Sequence, residues 1–284
     1  MRWPESIPET PSYLRTGTRP AWRNGLARRI ARVGGAAFSS RNPSVAPRQP
    51  GSHNRGMTSS PPTDVALIVP HSNTVMGRDF QRMGGEAFDV TTWRIQLDAV
   101  TREAEERMLG PTLDGRLEEI APTRPSLVVF GCTSAGALGG LDHDARVGQR
   151  IADATAAPVV TVVGSMVEQL AALSPSRVAV FTPYVDDLTR SVSACVREAG
   201  YEVPLERGAG LVDNEALGRM EPERIVDFVT GELRKADADV DAVFLSCTNW
   251  RAAEALDAAS AALGVPVLSS NQVTYASLAT LAAR

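Results

Sequence analysis

Two short segments of the chain carry nearly the same chemistry. Residues 130–136 read FGCTSAG and residues 245–251 read LSCTNWR, so aliphatic residues lead into a cysteine and a threonine in both. The chain has three cysteines, and Cys132 and Cys247 share this setting. Two thiols on opposite sides of one substrate can exchange a proton across a stereocentre. They can also add to a conjugated double bond from one side while a proton arrives from the other.

Both cysteines stand where a strand-like run gives way to a helix-like one. Backbone N–H groups at such a turn lower a cysteine pKa and bind anions, which predicts a thiolate that faces a carboxylate substrate. The same two turns add short polar donors for that substrate, namely Thr133, Ser134, Thr248 and Asn249. A lone buried cysteine is more often a small apolar core residue, and this interpretation suits Cys195 in the helical run LTRSVSACVREAG.

The cysteine segments lie within a regular alternation of strand-like and amphipathic segments that runs from residue 64 to the end of the chain. Strands are predicted over residues 64–70, 89–95, 125–131, 158–164, 177–183, 201–207, 241–247 and 265–270. Amphipathic segments at 101–120 and 222–236 have apolar residues every three or four positions. The alternation predicts an α/β fold with parallel sheets that helices cover on both faces.

The two halves of the chain repeat the same order of landmarks. The strand that ends at Pro70 precedes Cys132 by 62 residues, and the strand that ends at Pro183 precedes Cys247 by 64. This repeat predicts two pseudo-symmetric, flavodoxin-like parallel-sheet subdomains over residues 57–174 and 175–284. Because ligands bind outside the carboxyl ends of parallel strands, the active site is expected between them. The C-terminal helix is expected to pack on the first subdomain.

The first 56 residues differ from the rest in composition. They hold ten arginines and two of the acidic residues, with many Pro, Gly and Ser, which predicts a disordered tail. A nucleic-acid-binding arm, a targeting peptide and dispensable sequence ahead of a true start at Met57 are the alternatives for it. Of 29 basic and 33 acidic residues, the remainder keeps 19 and 31. Its net charge of about −12 argues against nucleic acid or an anionic membrane as partner.

Composition predicts a cytoplasmic enzyme without a cofactor. No apolar run approaches the roughly 20 residues that span a bilayer, no secretory leader is evident, and the scattered cysteines suggest reduced thiols. The single lysine, Lys235, lies in a surface-like helix, which disfavours a pyridoxal Schiff base. The histidines have no metal-ligand spacing with the cysteines, and the glycines of residues 208–218 lack a dinucleotide-binding pattern.

Six motifs together resemble the maleate cis–trans isomerase branch of the aspartate/glutamate racemase superfamily over residues 64–284. The chain is also similar to maleate-isomerase-like proteins of ectoine utilisation. The motifs are PHSNT at 70–74, GCTSAG at 131–136, FTPY at 181–184, Asn214 in VDNEALG, SCTNWR at 246–251 and SSNQ at 269–272.

The resemblance implies a homodimeric, cofactor-independent isomerase of a small dicarboxylic acid, of the maleate-to-fumarate type. Cys132 takes the position of the family's nucleophile, which attacks an alkene carbon. Cys247 takes the position of the cysteine that supplies or stabilises the proton on the opposite side. Asn73, Tyr184 and Asn214 match the family's carboxylate-binding positions.

The chain departs from the family pattern near its first motif, where His71 replaces a serine and Gly77-Arg78 stands near an acidic position. His71 is either a charged or proton-shuttling group at the mouth of the site or a tolerated loop change. Three other functions stay open. They are a two-cysteine racemase or isomerase of an amino-acid derivative, as in ectoine degradation, an arylmalonate-type decarboxylase, and a silent small-acid binding protein. The decarboxylases keep only one of the two cysteines, so the retention of both favours isomerisation or racemisation.

Overall fold

A computed structural model of the protein describes residues 61–84 and 86–283. The predicted tail, residues 1–56, lies outside the described residues. Within the described ranges, no helix is both long and apolar enough to cross a membrane.

The strands form two four-stranded sheets with the same topology, and every strand pair is parallel. The first sheet has the order β2-β1-β3-β4, from β1 (Thr63–Pro70), β2 (Phe88–Ile95), β3 (Leu127–Phe130) and β4 (Val159–Thr161). The second has the order β6-β5-β7-β8, from β5 (Val178–Thr182), β6 (Glu206–Gly208), β7 (Ala242–Leu245) and β8 (Val267–Ser269). The predicted α/β class with two repeated parallel sheets is therefore confirmed.

The central strands consist of residues that favour a sheet covered on both faces. Every residue of β3, β5 and β7 is buried, and most of them are Val, Leu, Phe or Ala. Runs of this kind do not alternate between apolar and polar residues, because helices shield both faces of a parallel sheet from water. The core of the protein thus lies around β1, β3, β5 and β7.

Helices follow almost every strand. In the first half they are α1 (Met76–Gly84), α2 (Arg102–Arg107), α3 (Leu113–Ile120), α4 (Thr133–Ala137), α5 (Gly140–Thr155) and α6 (Val162–Leu173). In the second half they are α7 (Asp186–Glu198), α8 (Asn214–Arg219), α9 (Pro222–Ala236), α10 (Ala252–Leu263) and α11 (Ser270–Ala282). The C-terminal helix α11 packs against elements of the first half, where Tyr275 makes edge-to-face contacts with Phe80 and Phe88.

Three predicted elements differ from the observed ones. The strand predicted to run to residue 164 ends at Thr161, because the Thr161 side chain accepts a hydrogen bond from the Gly164 amide and caps α6. The strand predicted over residues 201–207 is reduced to Glu206–Gly208 and an isolated bridge, since Pro204 within it has no N–H to donate.

The helical segment predicted over residues 101–120 is interrupted in its middle. A π-helical turn, Met108–Thr112, separates α2 from α3, and Gly110 within it has a non-helical backbone with φ −84° and ψ −132°. Pro111 follows directly and cannot donate the hydrogen bond that a continuous helix requires. The interruption ends α2 after Arg107.

In each sheet the chain adds strands first on one side of a central strand and then on the other, and this change of direction marks the place for a ligand. The chain leaves β1 toward β2 on one side and then returns to β3 on the other, and β5, β6 and β7 repeat this course. The loops that leave two such strands diverge above the sheet and open a crevice at its carboxyl edge. Four of the six sequence motifs lie at the ends of β1, β3, β5 and β7, and the other two follow β6 and β8.

Candidate active site

Cys132 and Cys247 occupy equivalent positions in the two sheets. Each lies two residues after the end of its central strand, β3 or β7, and Cys132 is the N-cap residue of α4. Both side chains are buried, and both line one small cavity of roughly 10 Å³. The structure therefore brings the two predicted thiols to a single site.

Each half of the molecule supplies part of the cavity wall. From the first half come Pro70, Asn73, Leu97, Val100, Glu105, Cys132 and Ser134, and from the second come Tyr184, Asn214, Cys247, Thr248 and Asn249. All predicted site residues lie in this wall except Thr133, whose hydroxyl is 3.0 Å from that of Ser270 at the start of α11. Thr133 thereby links the turn after β3 to α11.

Asn73 and Thr248 join the two halves at the base of the cavity. The Asn73 side-chain amide donates to the Thr248 hydroxyl at 3.0 Å, and the Thr248 hydroxyl donates to the Gly131 carbonyl at 2.9 Å. The side-chain Oδ1 of Asn73 accepts hydrogen bonds from the backbone amides of Val75 and Met76 at 3.1 Å each. Because both ends of the Asn73 amide are engaged, its orientation in the cavity wall is fixed.

A second set of contacts links the loop after β1 to α8 and the turn after β7. Asn214 donates to the Ser72 hydroxyl at 2.7 Å, and Asn249 donates to the Asn214 backbone carbonyl at 2.6 Å. The Asn249 side-chain oxygen accepts the Thr74 backbone amide at 2.9 Å. These contacts hold the side-chain amides of Asn214 and Asn249 in place in the cavity wall.

Burial controls the ionisation of both thiols. It raises the pKa of Cys132 far above its usual range, and the nearby carboxyl of Glu105 raises it further. Burial also raises the pKa of Cys247 to about 12, although hydrogen bonds from the Tyr184 hydroxyl and the Asn249 backbone amide act in the opposite direction. The predicted lowering of the thiol pKa is therefore wrong for this closed cavity, because desolvation outweighs the turn amides.

Glu105 is a cavity residue that the sequence motifs did not identify. Its side chain is fully buried, and its Oε1 accepts a hydrogen bond from the Ser134 hydroxyl at 2.5 Å. The Ser134 oxygen is in turn 3.9 Å from the Cys132 sulfur. Burial raises the pKa of Glu105 to about 8. One sequence signal pointed inward, since Glu105 shares a helical spacing with the buried Met108 and Leu109.

His71 does not reach the cavity wall. Its ring Nδ1 accepts the Leu97 backbone amide at 3.2 Å, and its backbone carbonyl accepts a hydrogen bond from Arg94 at 2.6 Å. His71 thus holds the loop that carries Leu97, one of the apolar wall residues. This position agrees with a loop change and not with a proton-shuttling group at the site.

The cavity offers neutral hydrogen-bond donors and two thiols to a small ligand. Arg, Lys and His are absent from the described lining residues. No cluster of three or more His, Cys, Asp or Glu side chains that could hold a metal ion occurs in residues 61–84 and 86–283. Amide and hydroxyl donors in a desolvated cavity can bind carboxylate oxygens and stabilise negative charge that develops during a reaction.

A buried cavity between two equivalent parallel sheets, with one cysteine from each half, fits an enzyme of the aspartate/glutamate racemase superfamily. The sequence model of the arylmalonate decarboxylase family matches residues 65–283. The chain belongs to this family, within the branch that also contains the maleate isomerases.

Three relatives show the range of this branch. A maleate isomerase of Pseudomonas putida is 29% identical over 231 residues, which cover 76% of this chain and 91% of the relative. An arylmalonate decarboxylase of Bordetella bronchiseptica is 26% identical over 216 residues, which cover 76% and 88% of the two chains. A crystallised cysteine-to-serine mutant of the Nocardia farcinica maleate cis–trans isomerase carries a covalently bound succinylcysteine intermediate. It superposes with a TM-score of 0.70 at 25% identity, covering 77% of this chain and 91% of its own.

Proposed function

We propose that the protein is a cofactor-independent cis–trans isomerase that converts a small unsaturated dicarboxylate, of the maleate type, to its trans isomer. The observation that carries this proposal is the pair of buried thiols, one from each half, on one cavity lined by neutral donors. The relatives named as maleate isomerases support it, as does the succinylcysteine in one of them.

Cys132 acts as the nucleophile in the proposed reaction. It releases its proton to water while the cavity is open for substrate, and its sulfur then bonds to one alkene carbon. The electron pair of the double bond moves to the other alkene carbon, which takes a proton from Cys247. The bond between the two carbons is now single and rotates. Cys247 then removes the proton, the double bond forms again, and the sulfur of Cys132 leaves.

The polar wall residues bind the two carboxylates of the substrate. Asn73 and Asn214 lie on either side of the network that joins the halves, and Tyr184 lies beside Cys247. Ser134 and Thr248 each adjoin one of the cysteine turns. Charge that develops on a carboxylate during addition is stabilised by such donors, because they are held in place before the reaction.

The proposal is tested by incubating the full-length protein with maleate in deuterated water and following proton NMR spectra. We expect fumarate to appear with the wild type and turnover to fall by about 1,000-fold or more in Cys132→Ala and in Cys247→Ala. Cys195→Ala is the matched control, because Cys195 is buried in α7 outside the cavity wall. Full activity in either cavity variant would exclude the two-thiol reaction.

The same spectra separate the competing functions when the substrate panel is widened. Deuterium entering the stereocentre of an amino acid or an N-acetylated diamino acid indicates the racemase that ectoine degradation would use. Loss of carbon dioxide from an arylmalonate indicates a decarboxylase. Binding of a small acid without any turnover indicates a silent binding protein.

We also propose that the protein acts as a cytoplasmic homodimer with no nucleic-acid or membrane partner. The two subdomains then comprise residues 57–174 and 175–284, and each carries one cysteine of the site. The acidic composition of the chain beyond residue 56 supports the absence of polyanionic partners. Light scattering of the purified protein, which reports mass directly, tests the dimer.

A further inference from the structure

Glu105 carries the one carboxyl group in the described cavity wall, and one of its two oxygens has no hydrogen-bond partner among the described residues. Its Oε1 accepts the Ser134 hydroxyl at 2.5 Å. Its Oε2 is buried and has no hydrogen-bond partner among the described residues. Buried polar atoms are nearly always paired, so an unpaired oxygen in a cavity wall indicates a partner that arrives with the ligand.

The groups that face Glu105 keep its carboxyl protonated at neutral pH. Cys132, Cys247 and Tyr184 all interact with it electrostatically, and burial raises the pKa of each of them. Arg102 on its own helix draws the pKa of Glu105 down, but its guanidinium is bound to Asp187. Desolvation therefore dominates, and the pKa of Glu105 is about 8. At neutral pH the carboxyl is mostly a neutral acid.

We propose that Glu105 binds the substrate as a neutral carboxylic acid, with Oε2–H donating to a substrate carboxylate at the Cys132 end of the cavity. This inference rests on the proposed function and adds a binding residue to it. An ionised Glu105 would repel a dicarboxylate strongly, because the described wall has no cation to offset the two like charges. A neutral Glu105 instead supplies a donor at the Cys132 end of the cavity, in addition to the amide and hydroxyl donors of the other wall residues.

The substitution Glu105→Gln separates this role from others. A glutamine keeps an acceptor for the Ser134 hydroxyl and a donor toward the ligand, but it has no proton to lose. Glu105→Leu removes both the acceptor and the donor. Glu103→Gln is the matched control, because Glu103 lies on the same helix and is exposed.

The test is calorimetric titration of the full-length protein and these variants with succinate, a saturated dicarboxylate that thiols cannot attack, at pH 7 and pH 9. If only protonated Glu105 accepts the ligand, wild-type affinity falls about tenfold over this range, given a pKa near 8. Glu105→Gln should bind at both pH values about as tightly as the wild type does at pH 7. Glu105→Leu should bind weakly at both, and Glu103→Gln should follow the wild type. Circular dichroism at each pH confirms that the variants are folded.

Two results would overturn the inference. The first is wild-type affinity that does not change between pH 7 and pH 9. The second is loss of succinate binding in Glu105→Gln at both pH values, since the glutamine amide keeps the donor that the inference requires. Infrared spectroscopy adds a direct readout, since the carbonyl band of a protonated carboxyl should be present at pH 7 and absent from Glu105→Gln. These binding results stand apart from the proposed function, which fails instead if succinate binds but maleate is not isomerised.

Discussion

Tyr184 and Cys247 show how a closed cavity sets the reactivity of a single side chain. Burial holds the pKa of both groups above their usual range, and the hydrogen bond between them favours the ionised form of the thiol. The thiol of Cys247 therefore holds its proton until an acceptor of sufficient basicity forms beside it. A carbanion next to a substrate carboxylate is such an acceptor, so Cys247 can serve as the proton donor of the proposed reaction.

Removal of the Tyr184 hydroxyl should slow the proton transfer without unfolding the protein. In Tyr184→Phe the pKa of Cys247 rises further and one carboxylate donor is lost, so we expect kcat/KM for maleate to fall by about 10- to 100-fold. Steady-state kinetics measure this change. Tyr275→Phe is the control, since Tyr275 packs against Phe80 and Phe88 away from the cavity wall. An equal loss in both variants would point to a general packing defect.

Sequence motifs identified most of the polar cavity wall, because a repeated turn after a buried strand is a local signal. Ser134, Thr248 and Asn249 were found in this way. Asn73, Tyr184 and Asn214 were found through the resemblance to the family, and all six line the cavity. Glu105 was missed, because TREAEER reads as a solvated charged run and the helical spacing of Glu105 with Met108 and Leu109 was the one local signal that it faces inward. The break at Gly110 has a local signal that the periodicity obscured, since Pro111 follows directly and cannot donate the hydrogen bond of a continuous helix.

At the scale of secondary structure, the turn after β3 positions Cys132 through a close approach that only glycine allows. A Cβ atom added at Gly131 would lie 2.6 Å from the Met76 sulfur and 2.8 Å from a Val69 methyl carbon. The strand end is therefore packed directly against β1 and α1. The Gly131 carbonyl also accepts the Thr248 hydroxyl, so a shift here is transmitted to the second cysteine turn.

Gly131→Ala should consequently displace Cys132 and destabilise the fold. We expect a loss of about 1–3 kcal/mol in the free energy of unfolding, as for other overpacked sites, together with a large fall in turnover. Chemical denaturation and NMR turnover assays measure the two effects. Gly231→Ala is the control, because Gly231 lies in helix α9 and an added Cβ meets no other atom within 4 Å. Gly131→Ala with wild-type activity would show that the turn tolerates the shift.

The strands were more predictable than the helices for a physical reason. Buried parallel strands are continuous aliphatic runs, and all eight of the predicted strands have a counterpart in the structure. Their ends were less certain, since Thr161 and Pro204 each shorten a strand through a single capping or missing hydrogen bond. Sequence periodicity averages over several residues and does not resolve such single contacts.

At the scale of the whole molecule, buried carboxyl groups make stability depend on pH. Burial raises the pKa of Glu105 to about 8 and that of Asp144 to about 6. A carboxyl with a raised pKa binds its proton more tightly in the folded state, so its contribution to stability is complete below its unfolded pKa. That contribution is lost as the pH rises through the folded pKa. The ion-paired carboxyls of Asp241 and Glu254 have pKa values lowered to about 2, so they lose their charge, and their contribution to stability, only at more acidic pH.

The free energy of unfolding should therefore decrease between pH 5 and pH 8. Each unit of difference between the folded and unfolded pKa of a carboxyl corresponds to about 1.4 kcal/mol, so the free energy of unfolding should fall by a few kcal/mol. Urea denaturation across this range measures it. Glu105→Gln should flatten most of the decrease, and Asp144→Asn should flatten its lower part. A profile that rises from pH 5 to pH 8 in the wild type would contradict the assignment of these two carboxyls.

The central claim is that one thiol bonds to the substrate while the other, across the cavity, transfers the proton. Intact-mass spectrometry of Cys247→Ala after incubation with maleate tests this most directly. In this variant water protonates the carbanion, and no thiol remains to remove that proton, so the adduct should stay in place. We predict a mass increase equal to one maleate per chain, which peptide mapping places on Cys132 and which is missing from Cys132→Ala and Cys132→Ala/Cys247→Ala. An unmodified Cys247→Ala protein, or an adduct that persists without Cys132, would contradict the account.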